Sequence, residues 1–223
     1  MCFSATASFS ASALIGFIGV KTIGSCKNAN ERYFGSIPIL FAIQQFSEGL
    51  VWLSLSDSRF LSFQEVSTNT YLLFAWVVWP LLIPLSIYYL DTSETVKKVC
   101  KGLFILALAS SLFSLYQIAI GLPVASINSF HIDYTLMATH RNWVVDLSQK
   151  IVYVVTTLMP LFLSNRKGMK VFAVANLLSL FIAFYFFNNA LASIWCFFAA
   201  LLSGLIYWIL KVVPAAQKSK ATI

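Results

Sequence analysis

Seven stretches, roughly 8–25, 36–56, 71–90, 102–122, 143–163, 170–188 and 190–210, are each about as long and as apolar as a helix crossing a bilayer, which takes about 20 residues. Little chain is left over for anything else. The longest connection, PVASINSFHIDYTLMATHRNW, runs from Pro123 to Trp143, and only Asn188-Asn189 joins the last two stretches. Charged residues make up 10% of the 223, against about 25% in soluble domains, so a water-facing surface cannot be covered in the usual way. The sequence predicts an all-α, polytopic seven-transmembrane helix bundle forming one domain over residues 1–223. No cleavable signal peptide is expected, because no basic segment precedes the first apolar run.

The basic residues set a direction. Lys21, Lys27 and Arg32 follow the first stretch, and Lys97, Lys98 and Lys101 the third. Arg166, Lys167 and Lys170 follow the fifth, and Lys211, Lys218 and Lys220 the seventh; only Arg59, Arg141 and Lys150 fall elsewhere. Basic loops stay in the cytoplasm, so the N-terminus is expected outside and the C-terminus inside, in the cell's inner (plasma) membrane. The same distribution excludes nucleic acid as the partner of the +7 net charge. The positive charge reads as a topology signal facing lipid.

Direction gives each polar residue a depth. Glu48 lies eight residues from the outer end of the second stretch and Lys150 seven from the outer end of the fifth, about 12 Å and 10 Å at 1.5 Å per residue. Gln44, Glu48 and Trp52 recur every four residues on one helix face. Asp146, Gln149, Lys150, Tyr153 and Thr157 share a face of the fifth stretch, and Ser110, Ser114, Gln117 and Gly121 one of the fourth. A charge facing lipid costs about 2.5–3.5 kcal/mol or more, so these residues are expected to face the bundle interior. Glu48 becomes the centre of a polar pocket open to the outside, with Lys150 as candidate counter-ion. Gln44, Gln45, Trp52, Trp79, Gln117, Asp146 and Trp195 complete the candidate ligand-binding set. The alternative is a protonated Glu48 hydrogen-bonded to neighbouring glutamines.

Other features carry weaker signals. His131, His140 and Asp133 have ligand types suited to zinc or copper, but their spacing matches no helical metal motif. Trp79-Pro80 followed by Pro84 predicts a kinked third helix with carbonyls freed inside the bundle. Ser8, Ser12 and Gly16 form a small-residue stripe for close helix packing. Cys2 and Cys196, both on the outer side, are candidates for a disulfide. No Schiff-base lysine precedes Lys211 in the last stretch, which excludes a rhodopsin, and two histidines are too few for a ceramidase-like zinc cluster. No Pro-Gln motif or similarity between the first and last three stretches suggests a sugar-exporter repeat.

The N-terminal MCFSATASF, the QQFSEGLVW block, Trp79-Pro80 and SIWCFFAA near the end resemble a bacterial family of integral membrane proteins described only as a domain of unknown function. The resemblance spans essentially the whole chain and implies a seven-span inner-membrane protein with no assigned activity or cofactor. Its blocks contain Gln44, Gln45, Glu48, Trp79, Trp195 and Cys196. Three functions stay open from sequence. One is binding of a small molecule or ion, as a sensor or transporter. Another is an intramembrane enzyme acting on a lipid- or isoprenoid-like substrate, with Glu48 as general acid/base assisted by Asp146 or His131. The third is a structural or assembly subunit, acting with a partner membrane protein or with further copies of itself.

Overall fold

A computed structural model of the chain describes residues 4–128, 131–137, 143–186 and 191–212. Seven helices among them are long and apolar enough to cross a membrane: Ala5–Ser25, Ala29–Ser56, Ser58–Leu90, Glu94–Gly121, Trp143–Leu163, Met169–Phe186 and Ile194–Lys211. The bundle's outside is apolar, with Leu14, Phe17, Leu112, Val171 and Phe181 all exposed. Its interior holds fully buried polar side chains such as Gln44, Gln45 and Glu48. That is the reverse of a water-soluble helical protein.

The first helix, α1 (Ala5–Ser25), starts where the Ser4 hydroxyl accepts from the Ala7 N–H, an N-cap of the usual chemistry. It packs along α3 (Ile37–Ser56), which a short helix α2 (Ala29–Gly35) precedes. The stripe of small residues has the expected role. Ser12 donates to the Ala42 carbonyl at 2.7 Å, and a Cβ on Gly19 would lie 2.8 Å from the Ile39 nitrogen. Only glycine allows backbones this close.

The third span is longer than expected. A 3₁₀ turn (Ser58–Phe63) and α4 (Gln64–Leu73) lead into a π turn at Phe74–Val78 and then α5, Trp79–Leu90. Pro80 has no N–H to give the preceding turn, and the ladder widens there: the Trp79 N–H reaches back five residues to the Phe74 carbonyl. The buried Ser111 hydroxyl donates to the carbonyl of Val77 at 3.4 Å. The interruption predicted at Trp79-Pro80 is therefore a π bulge, a feature frequent at functional sites.

Helix α6 (Glu94–Gly121) ends at Leu122, whose φ of 47° lies in the left-handed region. The chain then turns into a feature that the all-α expectation lacked. Strands β1 (Pro123–Asn128) and β2 (His131–Leu136) form an antiparallel hairpin, with Ala125 opposite Tyr134 and Ile127 opposite Ile132. Ala125 and Ile132 are buried against Val51 and Trp52 of α3, so the hairpin covers one end of the bundle. Helices α7 (Trp143–Leu163), α8 (Met169–Phe186), α9 (Leu191–Leu202) and α10 (Gly204–Tyr207), with a π turn at Trp208–Val212, complete the described residues.

The opposite, basic end is tied by buried carboxylates. Glu31 accepts from the Arg166 guanidinium at 3.1 Å and from the Lys27 N–H at 2.9 Å. Asp91 accepts from the Asn165 N–H at 2.7 Å, the Ser164 hydroxyl at 3.0 Å and the Ser93 N–H at 3.0 Å. Gly168, at φ +84°, faces Trp208, where a Cβ would meet the indole at 2.8 Å. The first, third and fifth connections and the last turn thus meet at this end.

Burial raises the Asp91 pKa, but donors from Ser93, Asn165 and Ser164 outweigh it, and the net shift is downward. A carboxyl with a depressed folded pKa contributes stability above its unfolded value, about 3.9, and that stability is lost as pH falls through the folded value. Asp91→Asn, which sets an amide against two backbone donors, is expected to lower stability near neutral pH by about 1–3 kcal/mol. It should also flatten the loss of stability below about pH 4. Thermal unfolding of both forms in detergent across pH checks this, and equal unfolding temperatures at pH 7 would contradict it.

Candidate functional site

Helix α3 carries the polar core because three of its residues fall on its inward side. Gln44, Gln45 and Glu48 are each completely buried. From α5, the indole N–H of Trp79 donates to the Gln44 side-chain oxygen at 2.7 Å, and the Trp79 ring stacks on Phe41 at 3.8 Å. The π bulge just before Trp79 is what turns this indole toward α3. From α9, the buried Cys196 thiol meets the side chains of Gln44, Tyr71 and Tyr153, with the Glu48 carboxyl nearby. Tyr153 meets Trp195 edge to face at 5.5 Å.

The cluster is rich in unused hydrogen-bonding atoms. Both amide atoms of Gln45, the indole nitrogens of Trp52 and Trp195, and the Ser8 hydroxyl are buried and make no hydrogen bond among the described residues. Among the described residues the Gln44 amide nitrogen makes no ordinary hydrogen bond; the amide meets the Cys196 thiol, a weak partner. Buried polar groups are nearly always satisfied, and each exception costs about 1–3 kcal/mol. Several in one place mark a site rather than ordinary core.

Toward the basic end the cluster adjoins a cavity of about 40 Å³. Trp79, Trp195 and Cys196 belong to its walls, which Phe41, Ile83 and Leu158 continue. Toward the hairpin end the cluster is covered. Tyr134 of β2 stacks on Tyr71 of α4 at 4.6 Å, nearly parallel at 9°, and packs against both the Trp52 and the Tyr71–Cys196 groups.

The sequence-predicted set divides on this geometry. Gln44, Gln45, Glu48, Trp52, Trp79 and Trp195 are all buried inside the bundle. Lys150 departs from expectation. It is exposed, and no ion pair with the buried Glu48 is present among the described residues. It sits at the edge of the α7 stripe, and its long stem lets the ammonium leave the interior. Its neighbour Gln149 turns inward instead, accepting from the Ser110 hydroxyl of α6. Asp146 is partly buried in the first turn of α7, and Gln117 is partly exposed on α6.

His131 and Asp133 lie 3.2 Å apart on the hairpin, on the strand face opposite to Ile132 and Tyr134. Asn128 also donates to Asp133, at 2.9 Å. No third potential ligand joins them among the described residues, and His140 lies outside these. Cys196 is a free thiol, and Cys2, its candidate disulfide partner, lies outside the described residues. Phe41, Tyr71 and Tyr134 are the site residues that the sequence reading missed. Phe41 precedes Gln44 and Glu48 by three and seven residues, a helical spacing that was there to be read.

The fold and site define a seven-helix bundle of membrane-spanning length with a closed polar cluster between its helices. The chain belongs to a family of unknown function (DUF6629), whose model matches residues 1–221. No curated protein and no solved structure matches it.

Trp79→Phe removes the donor to Gln44 and leaves a buried acceptor unmet, an expected loss of about 1–3 kcal/mol. Pairing it with Gln44→Leu should lose less than the two single changes together. Unfolding of the four forms in detergent measures the coupling, and strict additivity would show that the hydrogen bond is not the connection between α3 and α5.

Proposed function

We propose that this is a multi-pass protein of the bacterial inner (plasma) membrane that binds a small molecule or ion in the outer half of its bundle. Glu48 is the central charged group, and the role is that of a sensor or transporter. The observation carrying this reading is the set of buried, unused hydrogen-bonding atoms on Gln44, Gln45, Trp52 and Trp195 around a fully buried carboxyl group. A ligand that meets those atoms recovers what their isolation costs. The adjoining cavity and the aromatic walls support it further.

The basic connections gathered at the opposite end support an orientation with the hairpin end outside. A fluorescent protein fused to the C-terminus should fluoresce, and an alkaline phosphatase fused there should be inactive; the opposite pair of results reverses the orientation. Native mass spectrometry of the purified chain should find a co-purifying mass that Glu48→Gln removes while its unfolding temperature stays within a few degrees. A bare wild-type mass, with Glu48→Gln altering only stability, would assign Glu48 a structural role.

A further inference from the structure

We infer that the ligand is a short neutral amphiphile with a hydroxyl head and an apolar tail of about three or four carbons; this rests on the Glu48 site proposed above. The cavity separates a molecule from a bare ion. Its hydroxyl, amide and thiol groups are few: Thr157 donates to the Tyr153 carbonyl at 2.7 Å, the Asn176 amide nitrogen donates to the Phe172 carbonyl at 2.8 Å, and the others are the Tyr153 hydroxyl and the Cys196 thiol. The larger part of the wall is the apolar surface of residues such as Phe41, Trp79, Ile83 and Leu158, from which an ion gains nothing. At the junction with the polar cluster stand two donors: the unused Trp195 indole N–H and the Gln44 amide, whose partner is the weakly accepting Cys196 thiol. Donors call for an acceptor on the ligand. A hydroxyl accepts from one of them and donates to the carboxyl oxygens of Glu48, which offer several lone pairs.

Size sets the tail. At about 10–15 Å³ of such space per water-sized group, a cavity of about 40 Å³ takes about three or four heavy atoms. Affinity should rise about fourfold for each methylene that enters it.

The probe is a series of primary n-alkanols, methanol to octanol, with the full chain in nanodiscs, binding read by saturation-transfer NMR against empty nanodiscs. Affinity is expected to climb to about butanol and then stop. Ala199→Leu, on the cavity wall, should move the optimum to a shorter chain, and Leu158→Ala should move it to a longer one. Trp195→Phe should weaken every member by a similar factor. Affinity rising through octanol as in empty discs, or an optimum that neither wall variant moves, overturns the inference. If alkanols fail but sodium or ammonium binds in a Glu48-dependent way, the amphiphile falls and the Glu48 site stands. If nothing binds in a Glu48-dependent way, both fall.

Discussion

The hydrogen bond from the Trp79 indole to the Gln44 amide sits at the division of the bundle interior. On the hairpin side lie Gln45, Glu48 and the Cys196 thiol; on the other lie Phe41, Ile83 and Leu158. Inside a packed bundle a misplaced polar group finds no water to satisfy it, so the polar cluster keeps to one side of Trp79. Trp79 holds both sides, giving its N–H to one and its ring to the other. The π bulge before it and the proline after it are the backbone irregularities that put the ring there.

Most of the architecture is legible in the sequence, because hydropathy over about 20 residues is a strong signal. The seven stretches match the observed spans, with departures mainly at their ends. The third span begins at Ser58 rather than 71, since its start, SRFLSFQEVSTNT, mixes polar and apolar residues with no long apolar run to announce it. The hairpin is the larger omission, and it had a signal. From His131 to Leu136 polar and apolar residues alternate strictly, the period of a half-buried strand. In a chain of membrane-length helices, six such residues read as loop.

The site was half legible. Glu48 and its glutamines stand out because a carboxyl or amide inside an apolar run has few bland explanations. Depth matching singled out Lys150 as the partner, and there it failed. Depth specifies a level in the bundle but not a rotation, and on an α-helix each residue turns the direction by about 100°. Gln149 and Tyr153 ended up inside, while Lys150 between them did not. Tyr71 and Tyr134 were beyond reach for another reason: their importance comes from a contact between a helix and a hairpin far apart in the chain.

The two ends of the bundle are held by different kinds of force. At the basic end, charge-assisted hydrogen bonds to Glu31 and Asp91 tie three chain connections in fixed directions. At the other, ring stacking of Tyr134 on Tyr71 and apolar contacts of Ala125 and Ile132 do the holding. Stacked rings can slide without separating, whereas a directed bond resists shear. The molecule is therefore built like a sheaf bound at its base, stiff where its carboxylates anchor it and most compliant where the hairpin rests.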